Sequence, residues 1–453
     1  MDIELIKATI LSLWTRTPKR FKAMAVGLVA LLLVVSLVWD SIELFEPPLT
    51  NQCNQHTPDC IVSHQSLSPT TSNPPKPPTK PSILYYNTHS GAADNIAHVA
   101  SSLSLSLSHF NPSQVTSYGT SHSRAKALIN SGHVKWICSL TDVIVIGDTI
   151  PHGRAILLSF LDTDPSKWCS ARVVVEMTNR FDWDVKDRRR YYRMVRELVR
   201  RSELDLKGRL VWVANNNVEQ AFVEWKIGAK FPKPIRVLRP VGLAEDYEYP
   251  SDLPNPSIDH FASRTHDTTH IFEEIRDKHK IPLTIFPFGH KYGGPKNLLR
   301  FKGFIDIPYQ YSVMKFYENI AYGVPQFVPT PQFYEKLVNT KHHFTHCIKV
   351  PDLLHFPTLD ELEKTKPNSQ TIGIIRDFPE WSGYMDYYDP LFAPYVYYFN
   401  SWEELREIAG RERVKDVDWK RVRESGPVFY NAYRKSILDG WKDVFVNEFG
   451  FTP

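Results

Sequence analysis

The chain has 453 residues, 42% hydrophobic and 13% aromatic, enough to fill the cores of two ordinary domains, which excludes a disordered or fibrous protein. Its formal net charge is only +4, and Lys7, Arg16, Lys19, Arg20 and Lys22 crowd into the N-terminal tail. The remainder is nearly neutral, which argues against nucleic acid as the main partner. Five cysteines, Cys53, Cys60, Cys138, Cys169 and Cys347, are too few and too scattered for a disulfide scaffold or a zinc site.

Residues 23–39, AMAVGLVALLLVVSLVW, carry no charge and are apolar on every face. As a helix they reach roughly 25 Å, the short end of what spans a hydrocarbon core. Basic residues precede the run, whereas Asp40, Glu43 and Glu46 follow it. The positive-inside rule places residues 1–22 in the cytosol and everything after residue 39 across the membrane. A cleaved signal peptide would show a small-x-small site after the run; Trp39, Asp40 and Ser41 stand there instead. Residues 40–81 contain the proline cluster PTTSNPPKPPTKP and read as an extended stem. Cys53 and Cys60 can pair locally, join two stems into a homodimer, or stay free. The chain has no Asn-x-Ser/Thr sequon with a permitted middle residue.

From residue 82 strands and helices alternate. SILYY (82–86) leads through NTHSGAAD to a helix predicted over 95–107. DVIVIGD (142–148), ARVVVEMTN (171–179), RLVWVANN (209–216) and IRVLRPVGL follow as strands, with helices over 187–201 and 218–227. This rhythm predicts a parallel sheet covered on both faces, a Rossmann-like domain over 82–243. The proline-bearing stretch within 244–264 reads as an interdomain linker. A second α/β domain, 265–453, contains strands in IPLTIFPF, RFKGFIDIPY and VPQFVPT and helices over 269–280, 311–322, 402–409 and 417–447. Two such lobes leave a cleft between the carboxyl ends of their strands.

The sharpest local signal is FYENIAYGVPQFVPTPQFYEKL (316–337), a helix stopped by Gly323, a buried strand and a second helix. Glu318, Ala321, Gly323 and Pro325 resemble, in register, the glutamate-x-x-alanine-x-glycine-x-proline segment of GT-B glycosyltransferases. The resemblance implies two Rossmann-like domains facing a cleft and transfer of a sugar from a UDP- or GDP-linked donor. By it Glu318 binds the ribose hydroxyls, with Thr330 and Gln332 near the diphosphate. Many retaining members carry a further glutamate where this chain has Gln310, so retention is not implied. The plain alternative for Glu318 is a solvated helix residue.

Further candidates rest on residue type. His290, Lys291 and Lys296 could neutralise a leaving diphosphate, with Gly293 and Gly294 allowing close backbone approach. Inverting members of the family often hold a catalytic base after the first strand, where this chain has His89, with Asp94 to orient it or replace it. Asn179, Arg180, Asp182 and Trp183 combine polar groups with an aromatic face and could grip an acceptor sugar. GDTIPHGR (147–154) stands on the same footing.

The expected protein is a single-pass type II enzyme of the Golgi or endoplasmic reticulum membrane, its catalytic domain luminal, requiring no cofactor beyond the sugar nucleotide. Its acceptor would be a glycan, glycoprotein or glycolipid. One alternative is a GT-A enzyme holding Mn²⁺ through Asp162 and Asp164; another is a membrane-tethered sugar-binding protein without turnover.

Overall fold

The computed structural model describes residues 81–116, 120–242, 260–265, 271–287, 292–339, 357–364, 381–409 and 419–451. The anchor, residues 40–80 of the stem, Cys347, His290 and Lys291 lie outside them, as do the side chains of Asn179 and Arg180. Among the described residues no helix is long and apolar enough to cross a membrane. Pro75–Pro453 forms one compact unit.

That unit contains two parallel sheets, each flanked by helices. The first has six strands: β1 Ser82–Tyr86, β2 Ser106–Phe110, β3 Val143–Thr149, β4 Arg172–Arg180, β5 Leu210–Ala214 and β6 Arg236–Val237, in the order β2-β1-β3-β4-β5-β6. The second has five: β7 Phe261–Arg264, β8 Leu283–Phe286, β9 Phe304–Ile305, β10 Gln326–Pro329 and β11 Val396–Phe399, in the order β11-β10-β9-β7-β8. β-branched runs such as Val143, Ile144, Val145 and Ile146 are fully buried because helices cover both faces. In each sheet the second strand pairs on one side of the first and the third on the other. The chain therefore reverses direction across the sheet between β1 and β3, and again between β7 and β9. Such switch points open a crevice at the carboxyl ends of the strands.

The helices used below are α1 Ser90–Ser102, α2 His133–Cys138, α3 Arg188–Arg201, α4 Met314–Ala321, α5 Pro331–Asn339 and α6 Trp419–Asp443. Gly323 stops α4 with φ +70°, and a Cβ there would strike the Arg423 carbonyl of α6. Cys138, at the end of α2, is disulfide-bonded to Cys169.

The structure departs from the sequence reading in three places. The helix predicted over 95–107 ends at Ser102; Ser104 turns left-handed at φ +54°, and Ser106–Phe110 is strand β2. The alternation of Leu103, Leu105 and Leu107 with serines has the period of a strand. Phe261–Arg264, counted within the linker, is β7, between β8 and β9. The closing helix, counted with the second lobe, also serves the first: Ile437, Trp441 and Phe445 share a core with Ile83, Val143 and Val213.

Candidate functional site

A cavity of about 270 Å³ lies where the two switch points face one another, lined by both lobes. β1 is followed by Asn87, whose Oδ1 accepts from the His89 N–H at 2.8 Å and whose Nδ2 donates to the His89 carbonyl at 2.9 Å. This turn aims the His89 ring into the cavity, where its Nδ1 caps α1 by accepting from the Ala92 N–H at 3.4 Å. Asn95, a turn further along α1, completes that side.

Below the loop lie two carboxylates on neighbouring strands. Asp148 is next to last in β3 and Glu176 lies in β4, Gly147 pairing with Glu176 across the ladder. Tyr85 of β1 donates to Glu176 Oε2 at 2.8 Å. A Cβ at Gly147 would collide with the Tyr85 hydroxyl, so glycine there lets the phenol reach across β3. Glu176 is 2% exposed, and burial is the main force raising its pKa to about 7; the Tyr85 hydrogen bond opposes this and the Asp148 charge adds to it. Asp148 takes hydrogen bonds from Thr149 Oγ1 at 2.9 Å and Thr178 Oγ1 at 3.4 Å, its backbone left-handed at φ +59°. Holding a non-glycine residue there costs on the order of 1–3 kcal/mol.

The opposite wall is cationic and aromatic. Arg264 ends β7 with its guanidinium carbon 5.2 Å from the Tyr292 ring centre, and its Nε is buried without a hydrogen-bond partner among the described residues. Lys315 lies on the first turn of α4, Nζ 3.7 Å from the Tyr292 ring centre and donating to the Tyr292 hydroxyl. Burial lowers the Lys315 pKa and raises that of Glu318, three residues along the same helix, while their attraction opposes both shifts. Gln310, Ser312 and the start of α4 complete the wall, and no side chain caps the helix.

His89, Gln310 and Glu318 thus meet at one cavity, joined by Asp148 from the GDTIPHGR segment. Asp94 is exposed on α1, near enough for its charge to raise the Glu318 pKa, but it does not line the cavity. Thr330 and Gln332 do not line it either; Thr330 donates to Asn400 Oδ1 at 2.9 Å and caps α5, while Gln332 is exposed. Gly293 and Gly294 sit at φ +84° and +74° in the loop after Tyr292, and Lys296 points to solvent. Asp182 is buried and accepts from the Tyr192 hydroxyl of α3, and Trp183 packs on the core, so neither reaches the cavity. Asp162 and Asp164 lie in a turn outside it, Asp164 capping the next helical turn through the Ser166 N–H at 3.0 Å. Among the described residues no group of three or more metal-ligating side chains comes together.

Glu176, Arg264, Tyr292 and Lys315 were not singled out from sequence. The signal for Glu176 was a lone carboxylate inside the apolar run VVVEM; the others carried none beyond position at a strand end or beside Glu318.

No family model and no curated protein matches the chain. Among solved structures, the crystal structure of the glycosyltransferase SnogD from Streptomyces nogalater aligns at 12% identity and a TM-score of 0.28, covering 54% of this chain and 82% of that one. A superposition that loose does not define a shared fold.

Proposed function

We propose that the chain is a GT-B-type glycosyltransferase that moves a sugar from a nucleoside-diphosphate donor to a hydroxylated acceptor. The observation carrying this reading is the meeting of Glu318, Arg264, Lys315 and the uncapped start of α4 at one interlobe cavity. Arg264, Lys315 and the uncapped first turn of α4 suit a diphosphate, because buried N–H donors and a helix N-terminus favour negative charge. Glu318 accepts from the ribose hydroxyls, and Gln310 contacts the transferred sugar. The first lobe receives the acceptor. Closure of the lobes excludes water, so that transfer outruns hydrolysis.

The same reading has residues 23–39 anchoring the enzyme in the Golgi or endoplasmic reticulum membrane, the stem carrying the catalytic unit into the lumen. The Cys138–Cys169 disulfide supports an oxidising compartment. No resident metal is needed where basic groups meet the leaving diphosphate.

Thermal-shift measurement of the full chain in detergent against UDP- and GDP-sugars tests the proposal. A ligand that binds only the folded state raises the melting temperature. At least one sugar nucleotide raises it for the wild type and not for Glu318→Ala; no shift with any of them counts against the reading.

A further inference from the structure

Glu176 has one oxygen committed and one open. Oε2 accepts from Tyr85, whereas Oε1 has no hydrogen-bond partner among the described residues, although the side chain is 2% exposed and lines the cavity. An acceptor so placed at a cavity wall is available to a hydroxyl donor on a bound molecule. The cavity wall contributed by the first lobe supplies carboxylates, amides and a threonine hydroxyl but no lysine or arginine. It is complementary to the hydroxyl groups of a neutral sugar and unfavourable to an acceptor carrying phosphate or carboxylate. His89 is less well placed: its Nδ1 lone pair meets the Ala92 N–H, which leaves the neutral ring's proton on Nε2.

We propose, resting on the glycosyltransferase reading, that Glu176 is the group that takes the proton from a neutral acceptor hydroxyl, with Tyr85 as its positioning residue. As the acceptor oxygen bonds to the anomeric carbon, the bond from that carbon to the phosphate oxygen breaks. Its electron pair leaves with the nucleoside diphosphate toward Arg264 and Lys315, and the hydroxyl proton passes to Glu176 Oε1. The titratable groups facing Glu176 are Tyr85 on β1 and Asp148 on β3 and, around the cavity, His89, Arg264, Tyr292, Tyr309, Lys315 and Glu318. Burial and the Asp148 charge keep the carboxylate basic enough to act near neutral pH.

The test uses the full chain in detergent with UDP- and GDP-sugars as donors and methyl glycosides of neutral hexoses as acceptors, reading nucleotide release against pH. Glu176→Gln keeps the Tyr85 contact, is expected to retain UDP or GDP binding, and lowers kcat by about 10²–10⁴-fold, the usual worth of a positioned base. Asp148→Asn moves the acid limb of the wild-type profile to lower pH, which a purely structural role would not do. A second readout needs no turnover: dicyclohexylcarbodiimide labels Glu176 near neutral pH, and the glycosides protect it. A Glu176→Gln enzyme as active as wild type, an acid limb abolished by His89→Gln instead, or labelling that no glycoside protects overturns the proposal. Absence of UDP and GDP binding to the wild type would instead strike the donor-site reading.

Discussion

Arg239, just beyond the last strand of the first sheet, clasps Asp386 of the second lobe with two hydrogen bonds, Nε to Oδ2 at 3.0 Å and Nη2 to Oδ1 at 2.9 Å. Both side chains are buried, 7% and 0% exposed, and Arg239 also reaches Asp389 at 2.6 Å and the Tyr433 hydroxyl of α6 at 2.9 Å. Asp386 in turn accepts from Tyr317, the residue before Glu318. The clasp therefore ties the junction of the lobes to the helix that carries Glu318. Removing one partner of a buried pair leaves an uncompensated charge, so Arg239→Met lowers unfolding free energy by about 3–5 kcal/mol. The double variant Arg239→Met with Asp386→Asn loses less than the sum of the two singles, as read by denaturant titration.

Arg264 differs: its Nε is buried without a hydrogen-bond partner among the described residues, and the Glu318 carboxylate acts on it only through its charge. Arg264→Met is expected to weaken UDP or GDP binding by roughly 10–100-fold, the worth of about 1.5–3 kcal/mol for hydrogen bonds to a charged group, while leaving the melting temperature of the unliganded chain unchanged or higher. Calorimetric titration and thermal melting read the two effects separately.

Glu176 makes stability depend on pH. Its carboxyl holds its proton in the folded chain up to about pH 7 but only to about 4.5 when exposed. The folded state therefore binds more protons between those values, and stability falls as pH rises across that window. Glu176→Gln flattens this fall, measured as the unfolding midpoint against pH; an equal slope in both proteins contradicts the assignment.

The Cys138–Cys169 bond closes a segment with a sequence separation of 31. Loop-closure entropy for that length corresponds to roughly 3–4 kcal/mol. The Cys138→Ser, Cys169→Ser double variant is expected to melt lower by that equivalent, and reductant to lower the wild type but not the variant.

Much of the architecture was legible because the sheets are buried on both faces. β3, β4 and β5 announce themselves as apolar runs, and the Glu318 segment placed helix, glycine stop and strand in the right order. β7 was missed because Phe261–Arg264 has only four residues, directly after a proline-rich stretch. Within the site, His89, Gln310 and Glu318 could be named from local pattern. Glu176 and Arg264 could not, since whether a strand side chain becomes a cavity wall depends on residues distant in sequence, here Gly147 beside Glu176 and the elements of the other lobe that line the same cavity. Asp182 goes the other way: its polar and aromatic neighbours suggested a grip on an acceptor sugar, yet it is buried away from the cavity, accepting from the Tyr192 hydroxyl of α3.

The central claim is that a nucleoside diphosphate sits between the lobes with its ribose on Glu318. A crystal structure of the protein with UDP, and another with GDP, tests it most directly. The account predicts diphosphate density between Arg264, Lys315 and the first turn of α4, with ribose oxygens within hydrogen-bond distance of the Glu318 carboxylate. Nucleotide bound elsewhere on the molecule, or seated in the cavity with Glu318 turned away from the sugar, would contradict it.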